Sequence, residues 1–244
     1  GFFDLSGNSG TGNLGGFRSS CTANLIPANG VLNAPDYTRT CSCAYQLQTS
    51  LALIHMPELE YWTFGAQAPD DKVAINLGAP GDRRDTNGRL WLEHPEVGGP
   101  SAKVEVAIEP KDTSYFRLHS TAVKSGGLKW IAASGVEGAK SVTIQVRENG
   151  DHQVKLHFME PEDIGKGERV FDVSLQGEPV LRGLDIADLA GGSRRAIVRE
   201  FAIHVEDQKL RLELSPRGKR PAVLSGIQWQ RNRGQCRRQS WDAK

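Results

Sequence analysis

The stretch from Val142 to Leu181 leaves few folds open to this chain. Val142, Ile144 and Val146 alternate with Thr143, Gln145 and Arg147, the period of a strand with one buried face. Asn149-Gly150 follows, and because both residue types tolerate φ > 0 it predicts a two-residue hairpin. Val154, Leu156 and Phe158 resume the alternation, so the two runs are expected to pair as antiparallel neighbours. A polar loop from Met159 to Glu168 precedes a third strand, in which Phe171, Val173 and Leu175 share a face. Gln176-Gly177 turns that strand back towards Pro179-Val180-Leu181. Such a meander is a piece of an antiparallel sandwich.

The rest of the chain carries signals of the same kind. Val73-Ala74-Ile75-Asn76-Leu77-Gly78 opens a second domain after the linker-like Gly65–Lys72 stretch, which places a boundary near residue 70. Asp85-Thr86-Asn87-Gly88 reads as an Asx turn rather than a calcium loop, since the downstream Glu of an EF-hand is missing. Short strands are predicted over 104–108, 115–119 and 129–132. After an acidic turn, Phe201, Ile203 and Val205 alternate, Asp207-Gln208 turns, and Leu210, Leu212 and Leu214 alternate again. A last strand is expected over 224–229, and the basic, polar residues 232–244 are expected to be a flexible tail.

Lys plus Arg is 30 against 29 Asp plus Glu, so charge favours neither nucleic acid nor an anionic membrane. No apolar run is long enough to span a bilayer. The chain starts without Met or a signal peptide, which suggests a fragment or processed product. Four cysteines, Cys21, Cys41, Cys43 and Cys236, lack the paired C-x2-C spacing of a zinc ribbon. Disulfide bonding is the better reading, with Cys21 joined to Cys41 or Cys43 across a loop of about 20 residues and contributing around 3 kcal/mol. An oxidising compartment follows from it, periplasmic or extracellular.

HFMEP, GERVFDVSLQGEPVL and LDIADLAGG, in that order up to Gly192, resemble the heart of the malectin and malectin-like carbohydrate-binding modules. The resemblance extends over about 72–231. It implies an all-β, jelly-roll-type antiparallel β-sandwich. A second resemblance covers about 15–65: Arg18, Cys21, Pro27, Asn29, Gly30, Cys41 and Cys43 are similar to the closing blade of bacterial quinoprotein-like (PQQ-like) β-propellers. It implies that residues 1–70 are a partial propeller blade, with upstream blades in the same protein. PQQ would be held only with those blades, so no cofactor is expected in this segment. Gly10-Thr11-Gly12-Asn13-Leu14-Gly15 is a formal G-x-G-x-x-G, but neither flank suits a dinucleotide site, and it reads as a loop.

No catalytic constellation stands out. The six His residues are scattered singly, with His157 and His204 on the outward phase of their strands. Glu160, Glu162 and Asp163 crowd one loop, yet a hydrolase holds one such acid in an apolar pocket and this loop is polar. Sugar binding needs aromatic platforms and a few fixed polar groups. The malectin resemblance places its post-triplet aromatic pair on Glu162 and Asp163, one tyrosine near Trp130 or Ile131, and its Asp in the Arg217–Arg220 stretch, which holds no acid. The candidate carbohydrate-binding residues are therefore Trp91, Trp130, Glu160, Glu162 and Asp163, with a neutral oligosaccharide or glycan as partner and no metal. Two other readings stand beside this one: a non-catalytic piece of a PQQ-like redox enzyme, and a structural or protein-interaction sandwich without a sugar site.

Overall fold

The computed structural model describes residues 2–4, 8, 10–12, 25–34, 51–54, 60–67, 73–124 and 127–232. Its first strands are β1 (Phe2–Asp4), β2 (Gly10–Gly12), β3 (Ile26–Ala28), β4 (Val31–Ala34), β5 (Leu51–Ile54) and β6 (Thr63–Phe64). The sandwich begins with β7 (Val73–Leu77), β8 (Arg83–Arg84), β9 (Leu90–His94), β10 (Val106–Glu109) and β11 (Ser114–Arg117). A helical turn, α1 (Lys129–Ala132), then precedes β12 (Ser134–Glu137), β13 (Ser141–Gln145), β14 (Gly150–Met159), β15 (Val170–Leu175) and β16 (Glu178–Asp185). After α2 (Ile186–Ala190) come β17 (Ala196–Val205), β18 (Lys209–Pro216), β19 (Val223–Leu224) and β20 (Gly226–Arg231).

Two sheets face each other. One has the order β10-β13-β18-β15-β16, the other β17-β14-β20-β7-β9-β8, and a small β11-β12-β19 sheet completes the fold. All neighbouring pairs are antiparallel except β7 with β9. Val142, Ile144 and Leu212 from the first sheet meet Val154, Leu156, Phe158 and Ile227 from the second in one core. Each such side chain contributes about 1.5–3 kcal/mol by leaving water. The all-β sandwich expected from the alternating pattern is what forms.

One expected pairing forms differently. β13 and β14 are not hairpin partners: β13 lies between β10 and β18, while β14 lies between β17 and β20. The chain crosses from one sheet to the other at Val146–Asn149, and it crosses back between β17 and β18. The two crossings lock together. Val146 N–H donates to Gln208 O at 2.8 Å, and Gln208 N–H donates to Asn149 Oδ1 at 2.8 Å. Asn149 thus uses its side chain on a neighbouring crossing instead of closing a turn of its own. Gln176-Gly177, by contrast, has φ of 53° and 82° and joins β15 to β16 as expected.

The predicted strand over 129–132 is the turn α1. Trp130, Ile131 and Ala132 are buried consecutively, which a strand with one solvated face cannot achieve. α1 covers the outer face of the six-stranded sheet, and Gly226 shows how closely. A Cβ there would stand 2.8 Å from Ile131 Cγ2 and 3.0 Å from a Trp91 ring carbon.

The N-terminal segment is tied to the sandwich. The expected Asn29-Gly30 hairpin joins β3 and β4, and β5 pairs with β4 to make a separate three-stranded sheet. Gly10 to Gly12, read as a loop from the sequence, is strand β2, which pairs with β1 and β6. A Cβ on Gly10 would lie 2.4 Å from Phe64 O, so the strand passes where only glycine fits. Thr63 and Asp82 then exchange backbone hydrogen bonds at 2.9 and 2.7 Å, which joins β6 to the rim of the six-stranded sheet. Arg18 and all four cysteines, with the pairing expected of Cys21 with Cys41 or Cys43, lie outside the described residues, as does the 233–244 part of the tail.

Candidate functional site

β14 ends at Met159 and delivers Glu160, Glu162 and Asp163 to one end of the sandwich. Glu160 is buried and faces Arg169, whose side chain is only 1% exposed, with Nε 2.9 Å from Glu160 Oε2. The same guanidinium donates from Nη1 to Glu137 Oε1 at 2.6 Å and to Pro221 O at 2.7 Å, and from Nη2 to Glu162 Oε1 at 2.6 Å. Glu162 Oε2 accepts from Arg220 Nη1 at 2.6 Å, and Arg220 reaches Glu168 at 3.4 Å. A buried cation therefore gathers three carboxylates, and a second cation fastens the loop from outside. Burial pushes the Glu160 carboxyl up against the pull of Arg169, whereas the Arg220 hydrogen bond holds Glu162 below the usual carboxylate range. Glu160 is a structural anchor. Asp163 is exposed, and its carboxylate has no hydrogen-bond or ion-pair partner among the described residues.

Neither expected tryptophan platform is one. Trp91 is fully buried and Trp130 is 9% exposed, so neither offers a face to a sugar. Their large apolar rings are consumed by α1 packing on the sheet: Trp130 stands edge-on to Trp91 at 6.0 Å, and Trp91 Nε1 donates to Asp85 Oδ2 at 3.0 Å. Asp85 Oδ1 accepts from the Asn87 and Arg89 N–H groups, which is the Asx turn read from the sequence. His157 lies on the outer face as expected but is not solvated. It packs edge-on to Trp91 at 5.0 Å, its Nε2 has no partner, and burial lowers its pKa to about 4.

An aromatic cluster with one exposed member comes from residues outside the expected set. Tyr61 is 39% exposed, and Trp62 meets Trp130 edge-on at 6.0 Å. Arg83, on edge strand β8, sits over all three rings, 5.5 Å from Tyr61, 5.8 Å from Trp62 and 5.1 Å from Trp130. The sequence cue was the pair Tyr61-Trp62 just before linker-like composition, which reads as the end of the preceding domain.

A cleft of about 230 Å³ opens at another edge of the sandwich, between the β7–β9 pair and residues 101–106. Ile75, Leu92 and Val104 give it an aliphatic lining, and Glu93 and His94 also line it. Glu93 is engaged: both its oxygens accept from Gly98 N–H, at 2.7 and 3.0 Å. Asp82 beside it takes Glu93 N–H at 3.0 Å and the Ser101 hydroxyl. Burial raises both carboxyls.

The two facing sheets and the crossings between them define an antiparallel β-sandwich module. The chain belongs to the malectin domain family, whose model matches residues 72–230. A probable LRR receptor-like serine/threonine-protein kinase of Arabidopsis thaliana is 37% identical over 83 residues, 32% of this chain and 8% of that protein. Receptor-like protein 4 of the same plant is 30% identical over 88 residues, 35% of this chain and 14% of that protein. The chain thus spans only a small part of the curated relatives it matches. Among solved structures, the ANXUR2 extracellular domain from Arabidopsis thaliana superposes with a TM-score of 0.53 at 13% identity, over 64% of this chain and 47% of that one. Bacteroides uniformis beta-glucuronidase 2 gives 0.52 at 14% identity, over 82% of this chain and 22% of that one. At these identities the two structures share the fold. The curated relatives are plant receptor-like proteins, and the bacterial quinoprotein resemblance of residues 15–65 gains no support from them.

Proposed function

We propose that the sandwich is a carbohydrate-binding module that takes a neutral oligosaccharide or glycan at the loop following Met159. The observation that carries this reading is the division of labour within the loop. Arg169 and Arg220 engage Glu160 and Glu162 and hold the backbone in place, which leaves Asp163 as an open acceptor on a preorganised support. Carboxylates accept hydrogen bonds from sugar hydroxyls but add no stacking, and each missing stacking contact costs about 0.5–1.5 kcal/mol. Affinity of roughly 0.1–1 mM follows. The surplus of carboxylates at this end disfavours anionic sugars there.

The setting we infer is outside the cytoplasm, periplasmic or extracellular. Relatives that are receptor-like proteins support it, as does the fold shared with the ANXUR2 extracellular domain. An upstream quinoprotein-like propeller in the same protein is part of this reading and rests on the sequence of residues 15–65. A second reading, a structural or protein-interaction sandwich, is favoured by the burial of Trp91 and Trp130. Calorimetric titration of the chain with neutral oligosaccharides decides between them. Saturable binding that disappears in Asp163→Ala supports the module. Unchanged binding in the Glu162→Ala, Asp163→Ala double variant moves the site elsewhere, and no binding of any neutral sugar favours the second reading.

A further inference from the structure

We propose that the Tyr61–Arg83 surface is a second binding site, for a ligand that carries a carboxylate on a ring. It rests on observations separate from the Asp163 loop. The adjacent residues of β8 make the case by contrast, because they point to opposite faces of the strand. Arg84 is fully engaged: Nε and Nη2 donate to Asn8 O at 3.2 and 3.0 Å, Nη2 also to Gln67 O at 3.0 Å, and Nη1 to Gly88 O at 2.8 Å. Arg83 donates no hydrogen bond and joins no ion pair among the described residues. Its guanidinium lies within 6 Å of three aromatic rings, and the residue is half-buried. Five N–H donors in a fixed plane are thus held by ring contacts alone.

Cation–π attraction positions such a group without using its donors, which project from the edge of the plane. Burial against the rings lowers the Arg83 pKa, yet a guanidinium keeps its charge throughout the accessible range. Glu60, a carboxylate that acts on it, already accepts from Ser120 N–H at 2.8 Å and lies 3.8 Å from His119. The planar fork matches a carboxylate in bidentate fashion. A single cation suits one negative charge better than a phosphate dianion. Tyr61, 39% exposed, stands beside the fork, and an aromatic neighbour selects a ligand whose carboxylate is attached to a ring, either the C–H face of an acidic sugar or an aromatic acid.

The test titrates the full chain with glucuronate, benzoate, glucose and acetate at low salt. Glucuronate or benzoate is expected to bind more tightly than glucose and acetate, and to weaken as salt rises. Arg83→Gln should weaken it by about tenfold or more, the equivalent of one charge-assisted hydrogen-bonded pair. Tyr61→Ala should weaken the ring acids several-fold while leaving acetate unchanged. Whichever ring acid binds tighter names the source. Equal binding of acetate and the ring acids, or undiminished binding by Arg83→Gln, overturns the proposal. If Arg83→Gln fails to fold, by near-ultraviolet circular dichroism, Tyr61→Ala at its exposed position carries the test alone, and full ring-acid binding there also overturns it. A neutral oligosaccharide titrated alongside reports on the Asp163 loop, so failure at one surface is read apart from failure at the other.

Discussion

Arg169 is the residue on which the acidic end of the sandwich depends. Its removal leaves Glu160 buried and unpaired, and breaking such a pair from one side costs about 3–5 kcal/mol. Arg169→Gln should therefore lower the urea midpoint steeply, whereas Arg220→Ala, which cuts an exposed pair, should cost under about 1 kcal/mol. Equal effects of the two variants would show that Arg169 is not the anchor. His157 supplies a pH dependence. Burial lowers its folded-state pKa to about 4, below the ordinary 6.5, so the unfolded chain binds the extra proton first. The stability it contributes is complete above about pH 6.5 and is lost as pH falls to about 4, where the loss levels off at roughly 3 kcal/mol. The difference in stability between the native chain and His157→Gln, followed from pH 7.5 to 3.5, isolates this effect from the opposing titration of Asp82 and Glu93. A difference that does not change with pH would refute it.

At the scale of strands and turns, alternation shows β13, β14, β15, β17 and β18 to be extended, and their alternating residues pack in or against the core, whereas the short segments 10–12 and 129–132, which lack it, read wrongly. Alternation could not reveal which sheet each strand joins. A hairpin and a crossing between sheets bury the same every-other residues, so Val142 to Phe158 reads alike in both cases. Only the remote partner distinguishes them: Asn149 answers Gln208, 59 positions away. Asn149→Ala should thus cost about 1 kcal/mol through the lost bond at the crossing. Hydrogen exchange should show the loss as faster opening of the Gln208 amide, and unchanged Gln208 protection would sink the interlock. The site was less legible still. Glu160, Glu162 and Asp163 stand out by crowding one loop and by the malectin resemblance, but what separates them is Arg169 and Arg220, whose pairing depends on the folded loop. Trp91 and Trp130 were misread as platforms because ring size is visible in a sequence and burial beneath α1 is not.

At the scale of the whole molecule, residues 73–232 hold both facing sheets, so a chain of that span is expected to unfold in one cooperative transition. It should do so at a lower temperature than the full chain, because it lacks Trp62 against Trp130 and the Thr63–Asp82 bonds. Residues 1–67 alone should show no sharp transition, having too little apolar surface to bury. Calorimetry of the two pieces checks both statements, and a cooperative melt of the shorter one would refute the second. The placement of β7 beside β20 has a mechanical consequence. Ala74 pairs antiparallel with Gln228, so the polypeptide comes into the sandwich at Val73 and leaves after Arg231 on the same side of it. Tension applied through these two points peels the pair apart one bond after another instead of loading the bonds together in shear. The sandwich should then yield at low force in single-molecule pulling, and a high-force rupture would contradict this. A unit tethered in this way hangs to one side of its chain, out of the line of tension.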